Sequence, residues 1–313
     1  MTGTVVPADD FQSDERATEL KDAMDGLGTN EGVIIDIIDR HSNEQRCEIA
    51  VAYKQAYGED LIDDLKSELG GNFEDTVVAL MTPPRLYDVR ELRKAVSGCG
   101  TDDTALIEIM CSRSNEELEG IKAMYKEEYE TELEEDLDSD TSGYFGRMMI
   151  SLCTGGRETN QYVDSDQAEE DANQLYEAGA GSLGTEESAI NKVLCLRSFP
   201  QLRAIFQIYE AKCEHSIEQA IDDETSANLK AGYLAIVRYA KDPISFFAKR
   251  INDAISGIGT SDSDLIRLIV SRSEIDLADI CSCYENEYGK SLSDAISDDC
   301  SGDYKRMLLR LIS

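Results

Sequence analysis

Four glycine loops, each paired with one distant carboxylate, are the residues of this chain that could bind a metal ion. The loops share a Gly/Ser-x-Gly-Thr core, and one acidic residue follows the second glycine of every loop at a distance of 40 residues. The loops begin at residues 26, 98, 182 and 257, and the acids are Glu68, Asp140, Glu224 and Asp299. Because the distance is kept in all four copies while the acid alternates between Glu and Asp, the pairing indicates one site repeated four times.

The chemistry of such a pair favours calcium. Glycines let the backbone of a turn direct its carbonyl oxygens toward one point. A carboxylate brought from elsewhere can complete this half cage and leave other positions open for water or for a ligand oxygen. Flexible, all-oxygen ligation suits Ca²⁺ better than Mg²⁺, which demands a tighter octahedron. With one carboxylate per site, we expect dissociation constants on the order of 10⁻⁵ to 10⁻³ M without a partner.

Two other ion-binding motifs are excluded. A phosphate-binding loop requires Gly-Lys-Ser/Thr after a strand, and no glycine loop here continues in that way. The run Asp136-x-Asp138-x-Asp140 resembles the start of an EF-hand, but Thr141 replaces the required glycine and Arg147 the terminal glutamate.

Composition restricts the class of partner and the compartment. The 313 residues carry a net charge of −34, which excludes nucleic-acid binding through a basic surface and direct attraction to an anionic membrane unless a divalent cation lies between them. We find no apolar run that could span a bilayer and no signal peptide, and therefore expect a cytoplasmic protein. Nine irregularly spaced cysteines predict free thiols, and two histidines make a histidine-based zinc site improbable.

The elements that position the loops are predicted to be helices in four repeats. The second loop glycines are 72, 84 and 75 residues apart, so four repeats fill nearly the whole chain. Apolar residues at i, i+3 and i+4 flank each loop, and Ser-Asn or Ser-Glu pairs mark further helix starts. We predict an all-α fold with about five helices per repeat. The expected segments are a tail (1–14), repeats at 15–84, 85–156, 168–242 and 243–313, and a linker between two halves (157–167).

These features resemble the annexin family from about Asp14 to Ile312. Besides the loops, the resemblance rests on Lys66-Ser-Glu-Leu69, Asp140-Thr-Ser-Gly143, Val270-Ser-Arg-Ser-Glu-Ile-Asp-Leu277 and Asp299-Cys-Ser-Gly-Asp-Tyr-Lys305. It implies a slightly curved disc of four five-helix repeats with calcium loops on its convex face. It also implies reversible, calcium-dependent binding to acidic phospholipid, above all phosphatidylserine.

The resemblance further implies a ligand set for each site, made of three backbone carbonyls and one carboxylate. The sets are Met24, Gly26, Gly28 and Glu68; Val96, Gly98, Gly100 and Asp140; and Ile255, Gly257, Gly259 and Asp299. The third loop departs from the pattern because a serine replaces its first glycine and it is one residue longer. Its assignment, with the geometry left open, is Gly179, Ser182, Gly184 and Glu224.

Annexins also have a central polar channel, and five charged residues match it: Asp88, Glu91, Glu108, Arg113 and Arg272. A buried ion-pair network is the favoured alternative for these residues.

His41 is a second departure, because the other repeats carry arginine at the equivalent position, 13 residues after the loop glycine. We favour a helix-end residue hydrogen-bonded to nearby carbonyls. The competing hypothesis is a protonation switch near neutral pH.

We therefore predict a calcium-dependent membrane-binding protein that is not an enzyme, since no nucleophile is paired with a base at a supporting spacing. Lipid phosphate and carboxylate oxygens would fill the open positions on Ca²⁺, and the protein would be peripheral at membranes when Ca²⁺ rises. Two rival hypotheses are a helical scaffold that uses Ca²⁺ only for stability, and ion conduction that depends on Glu91 and Glu108. Self-association on the membrane, lipid preference, protein partners and export without a signal peptide stay open.

Overall fold

The computed structural model describes residues 2–26, 28–98, 100–178, 187–213, 215–225, 227–257 and 259–313, without the side chains of Glu224 and Ala227. Within these ranges the chain forms twenty α-helices and no strand, which confirms the all-α prediction. None of these helices has both the length and the hydropathy that crossing a bilayer would need.

The helices fall into four groups of five. The first group is α1 (Ser13–Met24), α2 (Glu31–Asp39), α3 (Asn43–Tyr57), α4 (Leu61–Glu68) and α5 (Gly71–Met81). The second is α6 (Pro84–Ser97), α7 (Asp103–Ser112), α8 (Asn115–Tyr129), α9 (Leu133–Asp140) and α10 (Gly143–Cys153). The third is α11 (Ser165–Ala178), α12 (Glu187–Leu196), α13 (Phe199–Cys213), α14 (Ile217–Glu224) and α15 (Ala227–Lys241). The fourth is α16 (Pro243–Ile255), α17 (Asp262–Arg272), α18 (Leu277–Tyr288), α19 (Leu292–Asp299) and α20 (Gly302–Leu311).

Local sequence signals account for several helix boundaries. Ser42 and Ser114 form capping boxes with Gln45 and Glu117, as their Ser-Asn signals predicted. At the other end of α8 the cap is Glu130, whose φ of 58° is the one positive value at a non-glycine residue among those described. The two helices that match α8 in the first and fourth repeats end at a glycine instead.

The chain divides into two compact units that do not coincide with its sequence halves. Unit 1 contains Met1–Tyr87 and Phe247–Ser313, and unit 2 contains Asp88–Phe246. The segment 157–167, which we expected to link two halves, therefore lies inside unit 2. There it is fixed by several hydrogen bonds, such as the one from the Glu158 N–H to the carbonyl of Leu196 (2.7 Å).

Each unit has its own apolar core, built from the helix faces that the i, i+3, i+4 pattern predicted. In unit 1 the side chains of Ile34, Ile37 and Ile38 on α2 are at most 3% exposed. The matching helix of unit 2, α7, is buried along most of its length. The helices on both sides of the first, second and fourth loops are thereby held by packing, and the described glycines of these loops are exposed.

Candidate metal centre

The three described loops are closed at their base by the same backbone hydrogen bond. In each, the N–H two residues after the second glycine donates to the carbonyl five residues before that glycine. The pairs are Asn30 with Ala23 (2.8 Å), Asp102 with Ala95 (3.0 Å) and Ser261 with Ala254 (2.8 Å). This bond joins the end of one helix to the start of the next, so the loop has the same closed base in all three repeats.

Glycine is needed at the second position because the backbone turns there into the left-handed region. The φ values are 92° at Gly28, 102° at Gly100 and 92° at Gly259. The first glycine of the second and fourth loops serves a different need. A Cβ on Gly98 or Gly257 would lie 3.4 Å from the carbonyl oxygen of the second glycine, so the small residue leaves that oxygen uncrowded.

In the first, second and fourth predicted ligand sets, the first carbonyl belongs to the last turn of a helix. Met24 ends α1, Val96 is the last residue but one of α6, and Ile255 ends α16. Carbonyls in the last turn of a helix have no partner within the helix and are available to other donors or to a cation. At the fourth loop, the carbonyl of Ile255 also accepts a hydrogen bond from the N–H of Gly257 (3.1 Å), which leaves it one lone pair.

Each predicted acid is the last residue of a short helix. Glu68 ends α4, Asp140 ends α9, Glu224 ends α14 and Asp299 ends α19. A negative side chain at the C-terminal end of a helix is unfavourable, because the helix dipole is negative there. A cation bound at this end would remove the unfavourable interaction.

Sequence reasoning missed the glycines that turn the chain directly after these acids. Gly71, Gly143 and Gly302 have φ values of 59°, 62° and 63°, and each lies three residues after its acid. The constant spacing was a readable signal in three repeats. Ala227 holds the same position in the third repeat.

The structure brings the first loop and its acid together. The hydroxyl of Thr29 in the loop donates a hydrogen bond to Oε2 of Glu68 at 2.7 Å. The Glu68 side chain is exposed, so its carboxylate is open to solvent as well as to the loop. Sequence reasoning had assigned no role to this threonine, although it follows the second glycine in all four loops.

At the second loop the same threonine position contacts a different atom. The hydroxyl of Thr101 donates to the main-chain carbonyl of Asp140 at 3.0 Å. Among the described residues, the Oδ2 atom of Asp140 is buried and has no hydrogen-bond partner. Asp103, at the start of α7, has its pKa raised by burial and by the charges of Asp102 and Asp140.

An acceptor oxygen buried without a donor is costly, and a concentration of negative charge adds to that cost. The arrangement fits a hard divalent cation. The described residues contain no group of three His, Cys, Asp or Glu side chains that could hold a metal ion. Ligation mainly by backbone carbonyls stays the prediction for a cation at these loops.

The third site can be described only in part. Gly179, Ser182 and Gly184 lie outside the described residues, as does the side chain of Glu224. The backbone nevertheless ends α14 at Glu224, in register with the acids of the other three repeats.

A tyrosine–aspartate hydrogen bond fixes the helix that carries the acid in the first two repeats. Tyr53 donates to Asp64 on α4, and Tyr125 donates to Asp136 on α9, both at 2.6 Å. Burial and this hydrogen bond raise the pKa of Tyr125 to about 12. Each aspartate lies four residues before the site acid, one helical turn away. The bond therefore orients the last turn of the helix, and sequence reasoning missed it.

Three of the five residues matched to a central channel, Asp88, Arg113 and Arg272, lie in ion pairs within their own units. Arg113 makes two hydrogen bonds of 2.7 Å to Asp88. Arg272 makes two to Asp276, at 2.8 and 2.6 Å. Glu108 is fully buried in α7, while Glu91 is partly exposed on α6. The ion pairs support the structural alternative, and the channel assignment stays a prediction.

The sequence analysis also missed a buried arginine in α17. Arg267 is 1% exposed and pairs with Asp264 at 2.5 Å. It lies eight residues after its loop glycine, as Glu108 does in the second repeat. A charged residue at this place on an apolar helix face was the signal that could have revealed it.

His41 has the hydrogen bond that the helix-end interpretation predicted. Its ring is buried, its Nδ1 lies 2.6 Å from the carbonyl oxygen of Ile37, and Phe11 packs against it at 5.3 Å between ring centres. The charge found at this position in the other repeats is supplied nearby by Arg46. That side chain is 1% exposed and donates to the carbonyls of Ile38, His41 and Leu80 and to Glu274.

Comparison with known proteins places these repeats in a family. The annexin family model matches residues 15–80, 87–152, 170–236 and 246–311. Human annexin A11 is 48% identical over 99% of this chain and 61% of its own length. Human annexin A4 is 46% identical over 99% of this chain and 97% of its own. This chain thus spans about three fifths of annexin A11, and likewise 64% of human annexin A7.

Solved structures agree with the sequence relatives. Annexin III superposes with a TM-score of 0.97 at 40% identity, covering 100% of this chain and 97% of that one. A calcium-bound annexin, (Sm)1, superposes with a TM-score of 0.87 at 34% identity, covering 99% of this chain and 93% of that one. The latter supports Ca²⁺ as the ion that this chain binds. With four matched repeats over nearly its whole length, the chain belongs to the annexin family.

Proposed function

We propose that this chain binds acidic phospholipid membranes reversibly, through Ca²⁺ held by its glycine loops. Membership of the annexin family supports calcium-dependent phospholipid binding in general. The observation that carries the proposal for this chain is the second loop. There Asp140 has a buried carboxylate oxygen without a hydrogen-bond partner among the described residues, and Thr101 fastens the loop to the end of the same helix.

The proposed ligands are the carbonyls and acids predicted from the sequence. In the first, second and fourth repeats, each acid ends a short helix and the first carbonyl of the loop lies in the last turn of another. Glu224 is proposed as the acid of the third site together with the loop residues Gly179, Ser182 and Gly184. A bound Ca²⁺ would supply positive charge with open coordination positions for phosphate and carboxylate oxygens of lipid.

The charge of the chain explains why the cation is needed. A net charge of −34 repels an anionic bilayer, so the protein groups at the loops bind lipid only when a cation lies between the two negative surfaces. The glycine loops keep side chains away from the carbonyls and let a headgroup approach the backbone. The short helices hold the acids at fixed positions beside them.

The proposed function is binding rather than catalysis. The protein would associate peripherally with membranes when the Ca²⁺ concentration rises. We propose phosphatidylserine-type lipid on the convex face as the partner and no nucleic acid. Self-association on the membrane would follow from this binding rather than cause it.

Co-sedimentation with phosphatidylserine vesicles across a Ca²⁺ titration tests the proposal. The site variant carries Glu68→Gln, Asp140→Asn, Glu224→Gln and Asp299→Asn. A control with the same change of net charge carries substitutions of exposed helix acids: Asp63→Asn, Asp75→Asn, Glu127→Gln and Glu128→Gln.

We expect the wild-type protein and the control to sediment only with Ca²⁺ and to be released by chelator, and the site variant to stay in solution. Sedimentation in chelator at low salt would contradict calcium bridging. The scaffold hypothesis predicts instead that Ca²⁺ binds with equal affinity with and without vesicles, whereas bridging requires lipid to raise the apparent affinity.

A further inference from the structure

The hydroxyl of the loop threonine contacts a different acceptor in the first two repeats. In the first it donates to the carboxylate of Glu68, at 2.7 Å. In the second it donates to the main-chain carbonyl of Asp140, at 3.0 Å. The two acids occupy the same position, at the end of α4 and α9 respectively, and differ by one methylene group. In the first repeat the threonine therefore touches the group proposed to bind the cation, and in the second it does not.

This difference matters because the Glu68 side chain is exposed and long. A glutamate has three rotatable bonds, and ordering it for ligation costs conformational entropy. The Thr29 bond restricts those rotations before any cation binds and directs one carboxylate oxygen toward the loop. A carboxylate oxygen has two lone pairs, so Oε2 can accept this bond and still contact a cation.

We propose that Thr29 is a positioning residue for the first site, holding Glu68 in the orientation that ligates Ca²⁺; this inference rests on the function proposed above. Partners that hydrogen-bond to a metal ligand typically change metal affinity about 10–100-fold when they are removed. Because Glu68 is exposed, we expect the lower end, a loss of about 10-fold. Thr101 holds only the backbone of its acid, so its removal changes the affinity of the second site less.

The test uses two proteins, each with a single intact acid–loop pair. The first-site protein carries Asp140→Asn, Glu224→Gln and Asp299→Asn, and the second-site protein carries Glu68→Gln in place of Asp140→Asn. Into the first we introduce Thr29→Val, which removes the hydroxyl at similar volume, and Thr29→Ser, which restores it. Thr101→Val in the second-site protein is the matched control.

Two quantities are measured. One is the Ca²⁺ midpoint for co-sedimentation with phosphatidylserine vesicles. The other is amide hydrogen exchange of the segment 28–34 in chelator, which reports the hydrogen bond without any metal. We expect Thr29→Val to raise the midpoint about 10-fold and to speed exchange, Thr29→Ser to restore both, and Thr101→Val to move the midpoint less than about 3-fold.

A Thr29→Val midpoint that is unchanged or lower overturns the inference alone, since a lower value would mean that the hydroxyl competes with Ca²⁺ for the carboxylate. The inference is also overturned if Thr29→Ser fails to restore the Ca²⁺ midpoint of the first-site protein. It is overturned likewise if Thr101→Val raises the midpoint of the second-site protein by the same factor. If the first-site parent does not bind vesicles at any Ca²⁺ concentration while its exchange matches the wild type, the proposed function fails at this loop and the inference fails with it.

Discussion

Replacing Asp140 by asparagine should have opposite effects on stability in chelator and in Ca²⁺. In the metal-free protein, Asp140 places a negative charge at the C-terminal end of α9 and leaves Oδ2 buried without a hydrogen-bond partner among the described residues. It also faces the charge of Asp103, whose pKa it helps to raise. Neutralising the side chain removes its unfavourable interaction with the dipole of α9, which costs about 0.3–1 kcal/mol. It also removes the repulsion between Asp140 and Asp103.

We therefore expect Asp140→Asn to raise the free energy of unfolding in chelator by about 1 kcal/mol. For a chain of 313 residues that corresponds to about 1.5 °C in melting temperature. In Ca²⁺ we expect the wild-type protein to be the more stable of the two. A site at 100 times its dissociation constant adds about 2.7 kcal/mol to stability, and the variant loses this contribution from the second site.

The assay is thermal unfolding of the wild-type and variant proteins in chelator and across a Ca²⁺ titration. Glu68→Gln is the comparison, because the Glu68 carboxylate is exposed and accepts the Thr29 hydroxyl. It should change stability in chelator by less than about 0.5 kcal/mol. A clear destabilisation by Asp140→Asn in chelator would refute the reasoning, because it would mean that the metal-free protein uses this charge for its own stability.

Three further predictions concern the scaffold. Glu130→Gly should stabilise the protein by up to about 1 kcal/mol in urea unfolding, because glycine adopts the φ of 58° without strain; no gain would contradict the left-handed cap. Tyr125→Phe removes the hydrogen bond to Asp136 and should cost about 1–2 kcal/mol at pH 7. Because the pKa of Tyr125 is raised to about 12, the wild-type protein should lose stability as pH rises from about 10 to 12, and the variant should lose less; equal slopes would exclude this tyrosine as the cause. Arg46→Leu should cost about 3 kcal/mol or more in urea unfolding, since three carbonyls and Glu274 lose their donor; a cost below about 1 kcal/mol would show that the site repacks.

The sequence predicted the helices and the acids because both depend on short-range or repeated signals. Apolar spacing marks the buried faces of α2 and α7, and the serine caps fix where α3 and α8 begin. The 40-residue offset selected Glu68 and Asp140 as candidate acids, because the same spacing recurs in all four repeats. None of these inferences required knowledge of which helices pack together.

The features that the sequence did not predict depend on that packing. Nothing in the spacing reveals that the hydroxyl of Thr29 meets a carboxylate while that of Thr101 meets a carbonyl, since the choice depends on side-chain length at a helix end. The composition of the compact units depends on packing in the same way. The sequence suggested a linker between two halves, whereas the first and fourth repeats form one compact unit and the segment 157–167 lies inside the other.

At the candidate sites this chain departs from the rules that govern stable helix ends and buried polar groups. Away from the sites, the starts of α3 and α8 have capping boxes, the guanidinium groups of Arg46 and Arg113 pair with acids, and the apolar helix faces are buried. At the sites, acids lie at the negative ends of helices, and the buried oxygen of Asp140 has no donor among the described residues. A fold that needed only to be stable would not keep an acid at the C-terminal end of the same helix in all four repeats. The departures share one remedy, a cation at the loop, and this agreement between separate local costs is the structural argument for calcium binding.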